Sequence, residues 1–462
     1  MRRIVLPRRE FLKGMGATAA AGGFVACNPG ESDSDVEAGV IDTFVFVIME
    51  NRSFDHYFGS LTLLEGRVDV DGLLATHYNE DADGNKLNPH RMESHCVEPD
   101  PPHGWESSHQ ALDGGTNLGF VAAFERARGT EGRENVMGYL TRAELPVSYA
   151  FADNYGIADR WFSSVCGPTW PNRLYAHGAQ SQGMTTNDLP TGNAYTMPAI
   201  WDRLDDAGVP WGYYYTDLPM LALFGRFGTR MNHIEEFFLH AEAGTLPPVV
   251  MLEPGAASND DHPPHHPMLG QLFLSSIHNA LAASPHWNRC LLVIFYDEAG
   301  GFFDHVPPGK APDDRAAEGF DQLGFRVPAM IIGPWVKPGF VSEGIYDHTS
   351  FLVHLERHFN LEPLTARDAA ATDLTDFLDL ERMANNQPYP PAELPVIDLT
   401  EADILAQCEE VRSRRATGQP EWQDAVHKLG FAHLDRTDDL PKIERFLLDK
   451  AIELGVCHGR VR

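Results

Sequence analysis

Two places in this chain of 462 residues set acidic side chains directly after an apolar run. The run 41–49 ends in Glu50-Asn51, and the run 290–296 ends in Asp297-Glu298. Both runs are nearly unbroken in aliphatic, β-branched and aromatic residues, the pattern of a strand covered on both faces. Oxygen-bearing side chains at the carboxyl tips of two such strands converge on one point of a sheet edge. Carboxylates packed there repel one another unless a cation neutralises them. Glu50, Asn51, Asp297 and Glu298 all offer hard oxygen ligands, which suit Ca²⁺, Mg²⁺ or Mn²⁺ better than a soft-ligand metal. The competing reading makes each pair a cap on the helix that follows, and it explains one pair more readily than both.

A third element is the stretch 163–173, which contains Gly167-Pro168-Thr169-Trp170-Pro171-Asn172-Arg173. Pro171 predicts a helix start, which places Thr169 just ahead of an N-terminus where backbone N–H groups and the helix dipole favour an anion. Its hydroxyl is then either a nucleophile or an ordinary N-cap. Histidine is frequent, at 21 residues, and clusters at His103 and His109, at His262, His265 and His266, and at His305 and His348. Neutral imidazole binds metal; imidazolium steadies charge on a phosphoryl oxygen or protonates a leaving group. Each of them can equally be a structural residue, and the 262–266 cluster an adventitious zinc site.

The elements that would position these residues alternate. Strands are predicted over 41–49, 211–215, 248–253, 290–296 and 327–332, and helices over 198–207, 234–243, 268–283 and 350–359. That order argues for an α/β fold with a mainly parallel sheet, whose ligands sit beyond the carboxyl ends of the strands. Polar stretches rich in Gly, Pro and His, at 66–115, 183–197, 254–267 and 300–325, read as loops over that edge. Residues 398–462 are charged and helical in pattern, with no chemistry evident in them.

Composition narrows the function. Lys and Arg total 36 against 66 Asp and Glu, a net charge of −30, which argues against nucleic acid and against docking on anionic membranes. No apolar run reaches the length of a membrane span. Residues 1–26 read as an export signal, with Arg8-Arg9-Glu10-Phe11-Leu12-Lys13 similar to the twin-arginine pattern, so that the twin-arginine machinery is an expected partner. Cys27 then stands where a lipoprotein would be lipidated, followed by a tether over 27–39. The expected location is periplasmic, secreted or lipid-anchored to the envelope. None of the other cysteines, at 96, 166, 290, 408 and 457, lies in a C-x-x-C pair.

Residues 44–59, Phe-Val-Phe-Val-Ile-Met-Glu-Asn-Arg-Ser-Phe-Asp-His-Tyr-Phe-Gly, closely resemble the opening signature of the bacterial phosphoesterase family, which contains phospholipases C and a related acid phosphatase. Residues 167–173, 296–305 and 346–350 look like its later blocks in the same order, so the resemblance spans about 40–362. It implies an alkaline-phosphatase-like three-layer α/β sandwich with loop insertions, a catalytic domain over 40–390 and a helical extension over 391–462. It also implies hydrolysis of a small-molecule or lipid phosphoester. One divalent ion, Ca²⁺ ahead of Mg²⁺, Mn²⁺ or Zn²⁺, would be held by Glu50, Asn51, Asp297, Glu298 and the Thr169 hydroxyl. Thr169 would be the nucleophile of a covalent phosphothreonine intermediate. His103, His262 and Asn172 would surround the phosphoryl group, with His305 as a further candidate acid.

Ala299 departs from the family, standing where a polar residue is common. Trp105, Trp161 and Trp170 would either cradle a choline ammonium or belong to the core. Three readings follow: a phospholipase C-like diesterase acting on phosphocholine-type substrates, an acid phosphatase-like monoesterase, and a non-catalytic metal-binding secreted protein.

Overall fold

The computed structural model describes residues 39–92, 97–256, 258–398 and 420–458. The export signal, Cys27, nearly all of the tether, Cys96 and Cys408 lie outside the described residues.

The long apolar runs become the middle of an eight-stranded sheet. Its strands are β1 (Thr43–Met49), β2 (Gly156–Ala158), β3 (Trp211–Tyr215), β4 (Met231–His233), β5 (Val249–Glu253), β6 (Cys290–Tyr296), β7 (Ala329–Ile332) and β8 (Phe340–Ser342), in the order β8-β2-β7-β6-β1-β5-β3-β4. All seven residues of β1 and all seven of β6 are buried, as double-sided coverage requires. The helix Ser350–Phe359 covers one face: Phe351 packs on Phe46 with ring centroids 4.5 Å apart, and Phe359 meets Phe44 at 5.8 Å. The sheet is parallel except for β7, which runs antiparallel to both neighbours. A four-residue apolar run carries no directional signal, so its reversal was not legible in the sequence.

The central register positions the chemistry. Met49 pairs with Tyr296 across β1 and β6, and Val47 pairs with Leu252 across β1 and β5. Glu50 and Asp297, the next residues of β1 and β6, therefore leave the sheet edge side by side, and Glu253, at the end of β5, lies level with Ile48, two residues short of Glu50. Beyond the sheet, the described part of the C-terminal segment forms the helices Pro420–Lys428 and Leu440–Glu453, with Trp422, Ile443 and Ala451 buried in the main core.

Candidate active site

The tips of β1 and β6 are stitched together through the backbone. Asn51 takes a left-handed conformation (φ 61°), which Asn tolerates better than most residues, and its N–H donates to Asp297 Oδ1 at 3.1 Å. The Glu298 N–H donates to the same oxygen at 2.7 Å, and the Glu50 N–H donates to Asp260 O at 2.8 Å. The chains come so close that a Cβ at Gly300, itself at φ +62°, would lie 2.2 Å from Asn51 O. The glycine after Ala299 is thus a requirement of this approach. Ala299 packs in a small apolar cluster with Phe303, Phe325 and Cys166.

The cation that neutralises the strand tips belongs to the chain. Arg173 is buried on the helix Thr169–Gly178, and its guanidinium spans three strand ends. Nε lies 3.1 Å from Asp297 Oδ2, Nη2 lies 3.0 Å from Glu50 Oε1, and Nη1 pairs with Glu253. Burial drives the Glu50 and Asp297 carboxyls above their ordinary range, with Arg173 pulling the other way. Glu253, whose other oxygen accepts from Tyr213, is pushed up to about 7 by burial against the same pull. Glu253 was not singled out in the sequence, although it closes the apolar run 248–253 just as Glu50 and Asp297 close theirs.

Glu298 turns to the other side of the cluster. Its Oε2 accepts the Gly300 N–H at 2.7 Å, and its Oε1 lies 3.8 Å from His103 Nε2. Burial pushes its carboxyl up, with His103 opposing. The His103 ring meets Pro101 O at 2.8 Å through Nδ1 and Asn51 Nδ2 at 3.3 Å through Nε2, contacts that suit the neutral ring. Burial works against its charged form, but Glu298 and Asp100, helped by the Pro101 carbonyl, outweigh it and raise the ring to about 9. A ring so placed can hold or release a proton at the site. His262 stands edge-on to it, with ring centroids 5.6 Å apart, and Asp100, His103 and His262 bring ligand atoms within 4.8 Å of one another.

A divalent cation fits these residues. Asn51 Oδ1 and Glu298 Oε1 are buried hard oxygens without a hydrogen-bond donor among the described residues.

The helix bearing Arg173 begins at Thr169 with Pro168 as its N-cap, two residues earlier than the sequence predicts, because proline is accepted throughout a first turn. Thr169 and Arg173 are four residues apart and share a helix face, with the threonine one turn closer to the open end. Thr169 is 1% exposed. The expected cradle of backbone N–H groups is reduced, since Pro171 has none and the Trp170 N–H donates to Asn187 Oδ1 at 2.9 Å. The Asn172 amide is also otherwise engaged. Its Oδ1 accepts the Val165 N–H at 2.9 Å and its Nδ2 donates to Gly167 O at 2.9 Å, so it pins the turn before Thr169. Trp161 and Trp170 are core residues, whereas the half-buried Trp105 covers Gly167.

His305 is not brought to this cluster. It faces Asp55 at 2.7 Å and Asp71 at 3.1 Å, beside Arg326, which also holds Asp55 (3.1 Å) and Asp304 (2.8 Å). Asp304 and His305 belong to a charged network that ties the loop after β6 to the helix Phe54–Leu63. Burial lowers the affinity of His305 for a proton, but Asp55 outweighs it and raises the ring to about 9, while Asp55 itself is held below its ordinary range. A histidine raised on folding stabilises fully below its unfolded value and loses that contribution as pH rises through the folded one. His305→Gln is therefore expected to cost on the order of 2–3 kcal/mol at pH 6, a deficit that closes between pH 7 and 10. Urea unfolding across that range measures it, and a constant deficit would contradict a charged His305.

His348 acquires a definite role. Trp161 Nε1–H donates to its Nδ1 at 3.2 Å, so the ring proton is on Nε2 and donates to Asp297 O at 2.6 Å. Burial holds this ring neutral, near 4. His348 thus orients the backbone of a strand-tip acid. The Tyr346-Asp347-His348 block carried the signal, but only the fold reveals its partner.

Comparison with known proteins adds to this geometry. The phosphoesterase family profile matches residues 41–362. Non-specific phospholipase C1 of Arabidopsis thaliana is 35% identical over 379 residues, covering 72% of this chain and 70% of its own. Phospholipase C B of Mycobacterium tuberculosis is 29% identical over 446 residues, 80% of this chain and 85% of its own. Among solved structures, a Vibrio parahaemolyticus protein of the alkaline phosphatase superfamily aligns over 74% of this chain and 71% of its own, at 11% identity and a TM-score of 0.38.

Proposed function

The chain belongs to the phosphoesterase family and is a phosphoric ester hydrolase, and from that premise we propose that it cleaves phosphodiesters as a phospholipase C does, with Thr169 as nucleophile. The observation that carries the proposal is the shared helix face of Thr169 and Arg173, which sets a hydroxyl one turn from the guanidinium that gathers Glu50, Glu253 and Asp297. Glu50, Asn51, Asp297 and Glu298 would hold one divalent cation, with Ca²⁺ the first candidate for a set of hard oxygens. Bound there, the ion supplies Lewis acidity toward the phosphoryl oxygens and the Thr169 hydroxyl.

The residues of the chain do the rest. Thr169 Oγ1 forms a bond to phosphorus as the ester oxygen on the far side departs, and the hydroxyl proton passes to an imidazole of the His103–His262 pair. His103 and His262 face the non-bridging oxygens, and an imidazole of this pair protonates the departing alkoxide. Water then hydrolyses the phosphothreonine, which returns the hydroxyl and releases the phosphorylated head group. The half-buried Trp105 lies over Gly167 with its ring packed against His109 and Phe320. Residues 1–26 direct export by the twin-arginine route; replacing Arg8 and Arg9 with Lys is expected to hold the protein in the cytoplasm.

Initial rates on p-nitrophenyl phosphorylcholine and p-nitrophenyl phosphate, with EDTA and with added Ca²⁺, test the proposal. The expected result is diester cleavage that EDTA lowers at least 100-fold and Ca²⁺ restores. A preference for the monoester would make the enzyme a phosphatase, and turnover indifferent to EDTA would remove the metal. No turnover on either substrate would leave a metal-binding protein.

A further inference from the structure

We propose that Trp422, from the C-terminal segment, is a positioning residue of the active site that holds the plane of Arg173. The inference rests on the reading of Thr169 and Arg173 given above. Trp422 lies on the helix Pro420–Lys428, beyond the residues 41–362 that carry the family match. Its ring centroid is 5.6 Å from Arg173 Cζ, and the side chain is 1% exposed.

Each guanidinium nitrogen of Arg173 has an acceptor. Nε goes to Asp297, Nη1 to Glu253, and Nη2 to Glu50 and to Ile48 O at 3.4 Å. These contacts fix where the group points, and whatever lies against its face opposes its tipping. The aromatic face of Trp422 does so while also attracting the cation, an effect that grows when the pair is desolvated. The indole Nε1–H is buried without a hydrogen-bond partner among the described residues. An orphaned donor costs stability, so the feature that suits tryptophan to this position is its ring face.

The same segment grips the site a second time. The Arg436 N–H donates to Asp217 O at 3.0 Å, and its guanidinium reaches Thr216 O at 3.0 Å and Glu235 at 2.6 Å. Asp217 Oδ1 in turn accepts the Ala256 N–H at 2.9 Å, at the start of the loop that bears Asp260 and His262. The C-terminal segment thus braces Arg173 through Trp422 and the histidine loop through Arg436.

Trp422→Leu and Trp422→Met remove the ring and keep apolar bulk. Trp422→Phe keeps a ring face and deletes the orphaned donor. The control is Ile443→Ala, which loosens the same segment from a buried position on the helix Leu440–Glu453. With kcat, KM and melting temperature measured on the full chain, the Leu and Met variants are expected to lose about tenfold in kcat at unchanged KM. The Phe variant is expected to recover to within about threefold of wild type, and Ile443→Ala to lower the melting temperature while keeping kcat. Wild-type kcat in the Leu or Met variant overturns the proposal. So does an equal loss of kcat in Ile443→Ala, or a Phe variant no better than Leu. Should the Leu and Met variants fail to fold, the Phe variant against Ile443→Ala decides alone. Turnover retained in Thr169→Ala would instead overturn the reading of the site and leave the bracing of Arg173 to be judged by melting alone.

Discussion

Thr169→Ala is expected to lower kcat on the choline diester by roughly 10⁴-fold or more, the size of effect seen when a covalent nucleophile is removed. The side chain begins a helix whose N-cap is Pro168, so its loss should cost no more than about 1 kcal/mol of stability. Three readouts separate loss of chemistry from loss of structure. The melting temperature should hold, bound metal should fall little because the carboxylates remain, and covalent labelling by substrate should disappear. Thr169→Ser keeps the hydroxyl and drops one methyl group, and it should stay within about tenfold of wild type. Substantial turnover in Thr169→Ala would mean that water, and not the chain, attacks phosphorus.

How much of this site was legible depends on the kind of information each part carries. Glu50 and Asp297 could be read because unbroken apolar runs mark buried strands and the first acid after each run marks a tip. The same rule reaches Glu253, whose run 248–253 is shorter but equally apolar, and applying it to every strand would have found the third acid. Arg173 stood in a quoted motif, yet nothing in its neighbours says that a cation on a helix will meet carboxylates from three strands, since Glu50 and Asp297 are far from it in sequence and its contact with them is tertiary. His305 stands differently: it came from the histidine clustering and the family resemblance, and its contacts with Asp55 and the nearby Arg326 are tertiary. Asn172 could not be placed because an amide reads alike whether it binds a ligand or pins its own turn. The direction of β7 and the site contact of Trp422 are long-range facts without a local signature.

Arg173→Met is the more severe test of the architecture. It keeps apolar bulk on the helix and strips the neutralising charge from Glu50, Glu253 and Asp297, all buried at adjoining strand ends. Breaking a buried ionic cluster by removing one partner costs about 3–5 kcal/mol, since the remaining charges stay desolvated and repel one another. The penalty should depend on pH. Burial already raises Glu50 and Glu253 with Arg173 present, Glu253 to about 7, and without the guanidinium both must rise further. A carboxyl whose folded value lies above its unfolded one binds protons on folding, so stability falls as pH rises. Arg173→Met should therefore stand closest to wild type near pH 5, where the acids can be neutral, and fall furthest behind above pH 8. Denaturant midpoints at the two values measure the difference. Arg173→Lys, one point charge in place of a three-way fork, should fall between the two. A uniform loss below about 1 kcal/mol would show that these acids are neutralised by something other than Arg173. In that case added EDTA should restore the pH dependence in the variant, because a bound cation would then supply the charge that Arg173 has lost.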